Sequence, residues 1–224
     1  AILHLGTLLA IIIYFHKDLA SLTYGLFNRD KSPAHNKLAW HIIWATFPAG
    51  IIGLLWGNLI EQELRNATFV AWNLLLWSFV FFAAERYSIK QKSSKSKITQ
   101  MTLRKVLFIG FAQAIALLPG TSRSGITISA GLLANLSPTK AAKFSFLLGT
   151  PIIFAAGVHK TLHFLSTPIN SVHLSGAQLG IGLLVSFTVG YFSIKLLLGI
   201  VSRLGLMPFI IYRVVLATSI LIAF

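Results

Sequence analysis

The chain contains no cysteine and very little negative charge. Of its 224 residues five are Asp or Glu and 19 are Lys or Arg, which gives a formal net charge of +14. The lack of cysteine excludes disulfide bonds and thiolate metal sites. Charged residues make up 11% of the chain and hydrophobic residues 55%, whereas a soluble domain usually has roughly 25% charged residues. The composition therefore excludes an ordinary soluble globular domain.

Long runs without charge predict helices that cross a membrane. A helix needs about 20 mostly apolar residues to span the hydrocarbon core. Windows of suitable length with at most one charge are residues 38–57, 67–84, 144–164, 176–200 and 207–224. We therefore predict an all-α, polytopic integral membrane protein that forms a single transmembrane domain over residues 1–224. Residues 1–15 are interpreted as the end of one more span.

Basic residues are concentrated in alternate connections between these windows. Residues 16–37 hold four Lys or Arg and residues 86–105 hold seven, whereas residues 165–175 hold none. The positive-inside rule places the basic connections in the cytoplasm. This assignment is consistent at every crossing if residues 106–136 form a re-entrant hairpin, although two distorted short spans are the alternative. The same rule accounts for the positive charge without nucleic acid, so we expect no nucleic-acid partner.

The most informative stretch is Pro-Gly-Thr-Ser-Arg-Ser-Gly at residues 119–125, called the 119–125 loop below. It joins uncharged runs of 13 and 11 residues, at 106–118 and 126–136, which are too short to cross a bilayer. An ionisable group at membrane depth is rare and usually marks a site. Non-helical backbone at that depth is tolerated only inside protein or beside a water-filled cavity. The loop therefore predicts a functional site around Arg123.

Glycines and hydroxyl residues in the 119–125 loop suit the binding of an anion. Gly120 and Gly125 allow tight turns and a close approach of the backbone to a ligand. Either Ser122 or Ser124 can cap the helix that follows. The first turn of that helix has free N–H groups and a partial positive charge, which attract anions.

Arginine supplies the charge that such a site needs. The planar guanidinium of Arg123 matches two oxygens of a phosphate group, and Thr127 lies in the first turn of the helix that follows. Together these features are typical of a phosphate site. The alternative is a capped re-entrant turn whose arginine lines a water-filled vestibule.

Carboxylates are absent from the second half of the sequence. The acidic residues are Asp18, Asp30, Glu61, Glu63 and Glu85. We interpret Glu85 as an interfacial charge that extends toward water. His159 and His163 have the spacing of two metal ligands on a helix, but no third ligand lies nearby, so we assign no metal ligand in this chain.

Residues 117–128, Leu-Leu-Pro-Gly-Thr-Ser-Arg-Ser-Gly-Ile-Thr-Ile, resemble the second signature of the bacitracin-resistance type of undecaprenyl-diphosphate phosphatases. Residues 5–10, 144–151 and 208–213 resemble other segments of that family in the same order. The likeness thus covers essentially the whole chain. It implies an architecture of two inverted repeats, each with a re-entrant element at a central pocket, and this chain would contain the second half.

The resemblance also implies a function. Members hydrolyse undecaprenyl diphosphate to undecaprenyl phosphate, which recycles the lipid carrier for peptidoglycan synthesis and confers bacitracin resistance. We accordingly expect a multi-pass protein of the bacterial plasma (inner) membrane with a polyprenyl diphosphate lipid as substrate, and a homodimer is left open. The expected catalytic residues are Arg123, Ser122 and Thr127, and the expected phosphate-binding residues are Gly120, Ser124 and Gly125.

This sequence departs from the family pattern in one respect. The family's first signature, a Glu-x-x-x-Glu stretch followed by a serine-rich run and a histidine, should precede Ala1 and is not in the sequence. The resemblance assigns to it the acid–base groups and the ligands of a divalent cation, magnesium or calcium. We therefore interpret the chain as N-terminally truncated. We expect the 224-residue chain by itself to be inactive until the upstream segment is restored.

A second hypothesis belongs to a different functional class. Half-helices around a polar loop also form the central sites of membrane transporters. The chain would then be a transporter or flippase of a lipid phosphate or a small anion. Release of phosphate favours the enzyme, and flux without release favours the transporter.

The re-entrant hairpin can be tested by cysteine labelling, because the chain has no thiol of its own. Single Lys97→Cys and Lys140→Cys variants place one thiol on each side of the hairpin. We expect a membrane-impermeant maleimide to label both from the same face of sealed vesicles. Labelling from opposite faces would show that residues 106–136 cross the membrane an odd number of times.

Overall fold

The computed structural model describes residues 2–91, 97–166 and 176–223. In these ranges the regular structure is α-helical, apart from a short 3-10 turn at Ile98–Gln100. The helices are α1 (Ile2–Tyr14), α2 (His16–Phe27), α3 (Pro33–Glu63), α4 (Ala67–Lys90), α5 (Leu103–Ile115), α6 (Arg123–Leu133), α7 (Pro138–Ser166), α8 (Gly176–Leu204) and α9 (Met207–Ala223). The predicted all-α class is confirmed.

Four of the described helices are long and apolar enough to cross a bilayer. They are α3 over Pro33–Gly57, α4, α7 over Pro138–Val158, and α8. Each contains one of the windows predicted from the sequence. The fifth window corresponds to α9, which has 17 residues and is therefore shorter than a typical span. The chain is a multi-pass membrane protein.

Residues 16–37 are expected from the sequence to form a connection between spans. This expectation is wrong, because the segment contains α2 and the start of α3. Helices α1 and α2 meet at a bend of 83°. Helix α2 packs on α3 through the buried Leu22 and Gly25. The amide of Asn36 donates a hydrogen bond to the Gly25 carbonyl at 2.8 Å. The segment contains charged residues, so its sequence does not indicate a helix with one apolar face. The contact of that face with α3 stabilises the helix.

Helices α5 and α6 are the two short helices predicted on either side of the 119–125 loop, although both lie about three residues earlier than expected. Helix α5 packs on α3, and α6 packs on α4, α5 and α7. Residues from Ile126 to Leu132 are all buried, so α6 is enclosed by protein on every side. The 119–125 loop is thereby held inside the helical bundle. The inverted repeat and the re-entrant path stay predictions.

The interpretation of Glu85 as an exposed interfacial charge is wrong. Its side chain is buried near the end of α4, and Oε1 accepts a hydrogen bond from the Leu206 N–H at 2.8 Å. Gly205 has a φ of +66°, which allows the connection between α8 and α9 to turn against the carboxylate. A carboxylate at this point satisfies one of the unpaired N–H groups at the start of α9. The side chains of His159 and His163 lie outside the described residues.

Glycine at position 110 sets the distance between α5 and α3. A methyl group there would overlap the Ala45 carbonyl. We expect Gly110→Ala to separate the two helices and to lower the free energy of unfolding by about 1–3 kcal/mol. Thermal denaturation in detergent measures the change. Gly50→Ala on α3 is the control, because the added methyl group would meet no neighbouring helix among the described residues, and an equal loss in both variants would contradict the packing argument.

Candidate functional site

The 119–125 loop begins with a tight turn that its sequence dictates. The Thr121 N–H donates to the Leu118 carbonyl at 3.2 Å, and Gly120 has a φ of +87°. Proline at the second position and glycine with positive φ at the third are the hallmarks of a type II turn. A methyl group on Gly120 would also approach the Val70 carbonyl to 2.8 Å. Glycine is thus required here both by the turn and by the contact with α4.

Ser122 follows the turn in an unusual conformation and caps α6. Its φ is 71° and its ψ is 105°, and its Oγ accepts a hydrogen bond from the Gly125 N–H at 3.3 Å. The sequence allowed either serine to be the cap, and the structure selects Ser122. The backbone N–H groups of Ser122, Arg123 and Ser124 have no acceptor among the described residues. The start of α6 therefore presents three consecutive free donors.

Two side chains from other helices hold the turn. The Asn73 amide of α4 donates to the Pro119 carbonyl at 2.7 Å and to Thr121 Oγ1 at 2.9 Å. From α9, Arg213 Nη2 donates to the Gly120 carbonyl at 2.8 Å. Two successive carbonyls are thus bound by side chains of two different helices, α4 and α9. Neither Asn73 nor Arg213 is predicted from the sequence to belong to the site.

Arg213 is held in place by several further contacts. Its Nε donates to Ser78 Oγ at 3.2 Å, and Nη2 also contacts the Leu74 carbonyl at 3.3 Å. The guanidinium lies 5.0 Å from the ring centre of Phe81. The sequence signal was a lone arginine within an apolar terminal helix, which is costly in a membrane unless the charge has partners. Here carbonyl oxygens and an aromatic face supply them.

The Arg123 side chain extends to the other side of α6. It contacts α7 at Gly149, where an added methyl group would lie 3.3 Å from the guanidinium carbon. It lines a cavity of about 470 Å³, the larger cavity, which lies between α1, α7 and α8. The other lining residues are Thr7, Ile11, Phe146, Ile153, Gly190 and Ile194. Arg123 is thus the charged group in a mostly apolar space.

The hydroxyl residues of the loop line a different cavity. Ser122, Ser124 and Gly125 face a space of about 210 Å³, the smaller cavity, between α4, α6, α8 and α9. Arg213 lines the same space. Its remaining walls are mostly apolar, formed by Phe81, Ile128, Leu197, Val201, Leu206, Phe209 and Tyr212. The structure therefore does not bring the Arg123 side chain and the two seryl side chains together in one cavity.

The Thr127 side chain packs inside the protein and is bound to other residues of the chain. Its side chain is fully buried, and Oγ1 donates to the Arg123 carbonyl at 2.7 Å. Ser145 Oγ of α7 lies 2.6 Å from the same atom, so Ser145 is the donor of that bond. Gly125 leaves room for the Phe81 ring, which a methyl group would overlap. The phosphate contacts predicted for Thr127 and Gly125 stay predictions.

The described residues around the loop do not fit a divalent cation. They provide two guanidinium groups, hydroxyls and backbone N–H groups, whereas magnesium and calcium need oxygen ligands, mainly carboxylates. No cluster of three or more His, Asp or Glu that could hold a metal occurs in the described ranges. Gln113 is buried on α5, and its side-chain amide atoms have no hydrogen-bond partner among these residues.

Removing the Thr127 hydroxyl tests whether the pair with Ser145 stabilises α6. We expect Thr127→Val to lower the free energy of unfolding by about 1–3 kcal/mol, because Ser145 is left buried without its partner. Thermal denaturation in detergent gives the value. Thr46→Val is the matched control, since the Thr46 hydroxyl bonds only to its own helix, at the Ile42 carbonyl. Equal stability of the two variants would contradict the assignment.

The sequence of the chain was compared with those of known proteins. The model of the family described as bacitracin resistance protein BacA matches residues 1–219. An undecaprenyl-diphosphatase of Saccharophagus degradans is 40% identical over 96% of this chain and 79% of its own length. Undecaprenyl-diphosphatases of Colwellia psychrerythraea and Corynebacterium efficiens are 38% and 40% identical, over 97% and 96% of this chain and 81% and 73% of their own lengths. The chain belongs to the bacitracin resistance protein BacA family.

Proposed function

We propose that this protein hydrolyses undecaprenyl diphosphate to undecaprenyl phosphate and inorganic phosphate in the bacterial inner membrane. This reaction returns the lipid carrier to peptidoglycan synthesis and confers resistance to bacitracin. The observation that carries the proposal is the start of α6, where three free N–H groups adjoin an arginine inside an apolar helical protein. Family membership supports the choice of substrate.

The chemistry is the transfer of a phosphoryl group to water. Water attacks the terminal phosphorus, the bond from phosphorus to the bridging oxygen breaks, and the lipid monophosphate leaves with that oxygen. Charge spreads over the three other oxygens of the phosphoryl group as the bond breaks, so catalysis depends mainly on positioning and on positive charge. Donors that are fixed before the reaction stabilise this charge without reorganising.

Arg123 is the residue that we expect to bind the reacting phosphate. Its guanidinium carries a permanent charge and can donate to two oxygens of one phosphate. It lies in the larger cavity at the first position of α6, where the helix dipole adds further positive potential. The free N–H groups of Ser122, Arg123 and Ser124 supply additional donors at the same helix end.

Ser122 and Ser124 differ in the hydrogen bonds that they can offer to a phosphate. Ser122 Oγ accepts the Gly125 N–H, which leaves its own O–H free to donate to a phosphate oxygen. Ser124 lines the smaller cavity with Arg213. The Thr127 hydroxyl is bound to the Arg123 carbonyl and to Ser145, and its contact with phosphate stays a prediction.

The smaller cavity has the chemical character of a lipid phosphate site. Hydroxyls and a guanidinium lie at one part of its surface, and aromatic and aliphatic side chains form the rest. A prenyl phosphate has the same division into an anionic head and an apolar chain. A soluble phosphate ester would leave the apolar walls uncovered.

Release of phosphate from undecaprenyl diphosphate tests the proposal, with the purified 224-residue chain assayed by itself and with the upstream segment restored. The assay is run with magnesium, with calcium and with chelator, since the family resemblance leads us to expect a divalent cation. Turnover that requires the prenyl diphosphate supports the phosphatase. Movement of a labelled prenyl phosphate across a vesicle membrane, without release of phosphate, would support the transporter instead.

Arg123→Lys separates the role of the guanidinium from that of positive charge. Lysine keeps the charge but cannot make the two-oxygen contact, so we expect kcat to fall by about 100-fold to 1000-fold in the active protein. Arg203→Lys, at the exposed end of α8, is the control and should retain activity. Wild-type turnover in Arg123→Lys would show that Arg123 serves another purpose.

A further inference from the structure

Ser122 has a backbone conformation that a serine rarely adopts. Its φ of 71° with a ψ of 105° lies in a sparsely populated region for a residue with a side chain. Such conformations cost about 1–3 kcal/mol and persist only where the surrounding structure imposes them. Something in the fold must therefore hold the backbone before and after this residue.

Asn73 holds the backbone of the residues that precede Ser122 in the chain. It lies near the start of α4, is 7% exposed, and reaches a loop more than 40 residues later in the chain. A carbonyl oxygen can only accept, so the Asn73 amide nitrogen must face Pro119. The same nitrogen donates to Thr121 Oγ1 at 2.9 Å, and Thr121 is fully buried. One side chain thus binds both the second and the fourth residue of the turn.

Asn73 is one of three residues whose hydrogen bonds hold the turn, and its side chain is uncharged. Arg213 binds the Gly120 carbonyl from α9, and the bond from Gly125 N–H to Ser122 Oγ fixes the chain after the turn. The carbonyls of Pro119 and Gly120 are thereby occupied by α4 and α9. The N–H groups of Ser122, Arg123 and Ser124 stay free for a ligand.

We propose that Asn73, through its paired hydrogen bonds to Pro119 and Thr121, is a positioning residue for the active site, an inference that rests on the phosphatase function proposed above. It holds the turn so that Ser122 keeps its strained conformation and the donors at the start of α6 keep their direction. Asn73 itself touches no substrate. Without it the turn relaxes, Ser122 adopts a common conformation, and the donors rotate away from the phosphate.

The test uses Asn73→Leu, Thr121→Val and the double variant. A shift of about 1 Å at a reacting group can cost up to about 100-fold in rate, so we expect Asn73→Leu to lower kcat by about tenfold to 100-fold with little change in KM. Thr121→Val should lose less, because the bond to Pro119 survives. The double variant should be no slower than Asn73→Leu, since both variants remove the same bond.

A matched control separates positioning from general stability. Asn36 on α3 also donates from its amide to backbone carbonyls, at Gly25 and Leu26, but it supports α2 instead of the loop. Asn36→Leu should lower the melting temperature and leave kcat unchanged. If Asn36→Leu and Asn73→Leu lower kcat equally, or if Asn73→Leu retains the wild-type kcat, the proposal is overturned.

Hydrogen exchange gives a readout that does not depend on turnover. We expect Asn73→Leu, compared with wild type in the same detergent, to accelerate exchange in a peptide that covers residues 116–126, and Asn36→Leu to leave that peptide unchanged. Unchanged exchange in Asn73→Leu would also overturn the proposal. If the wild-type protein releases no phosphate even with the upstream segment restored, the proposed function fails, and the exchange comparison still decides whether Asn73 holds the loop.

Discussion

The fold depends on one constraint, which is that a chain broken inside an apolar protein must still satisfy its backbone polar groups. Between α5 and α6 the regular helical hydrogen bonds stop. Asn73 binds the Pro119 carbonyl, Arg213 binds the Gly120 carbonyl, and Ser122 binds the Gly125 N–H. Among the described residues, the Gly120 N–H and the three N–H groups at the start of α6 have no acceptor, and the α6 donors are those that we propose for the phosphate.

Two arginines near the loop have opposite roles because their surroundings differ. Arg213 donates to two carbonyls and a serine hydroxyl and lies against the Phe81 ring, so most of its hydrogen-bonding capacity is used within the protein. Arg123 faces the larger cavity, where apolar side chains surround it. A guanidinium without a protein acceptor is costly to bury and gains most from an anionic ligand. This difference supports Arg123 as the residue that binds the reacting phosphate.

Arg123 and the seryl side chains of the 119–125 loop face different cavities. The sequence alone predicts that they form a single cluster of phosphate ligands. In the fold, the start of α6 divides it, because successive side chains of a helix point in different directions. The Arg123 guanidinium and the seryl hydroxyls therefore have separate surroundings, and each can be tested by its own substitution.

The sequence by itself determined the membrane class, the two short helices and the loop between them. Hydrophobic length, the Pro-Gly turn and the capping serine are local properties, and they act in the same way wherever the chain lies. Tertiary structure alone decided that α2 is a helix, that Glu85 is buried against Leu206, and that Asn73 and Arg213 hold the turn. Each of these depends on contacts between residues far apart in the sequence, at distances and angles set by helix packing, and no local pattern encodes them.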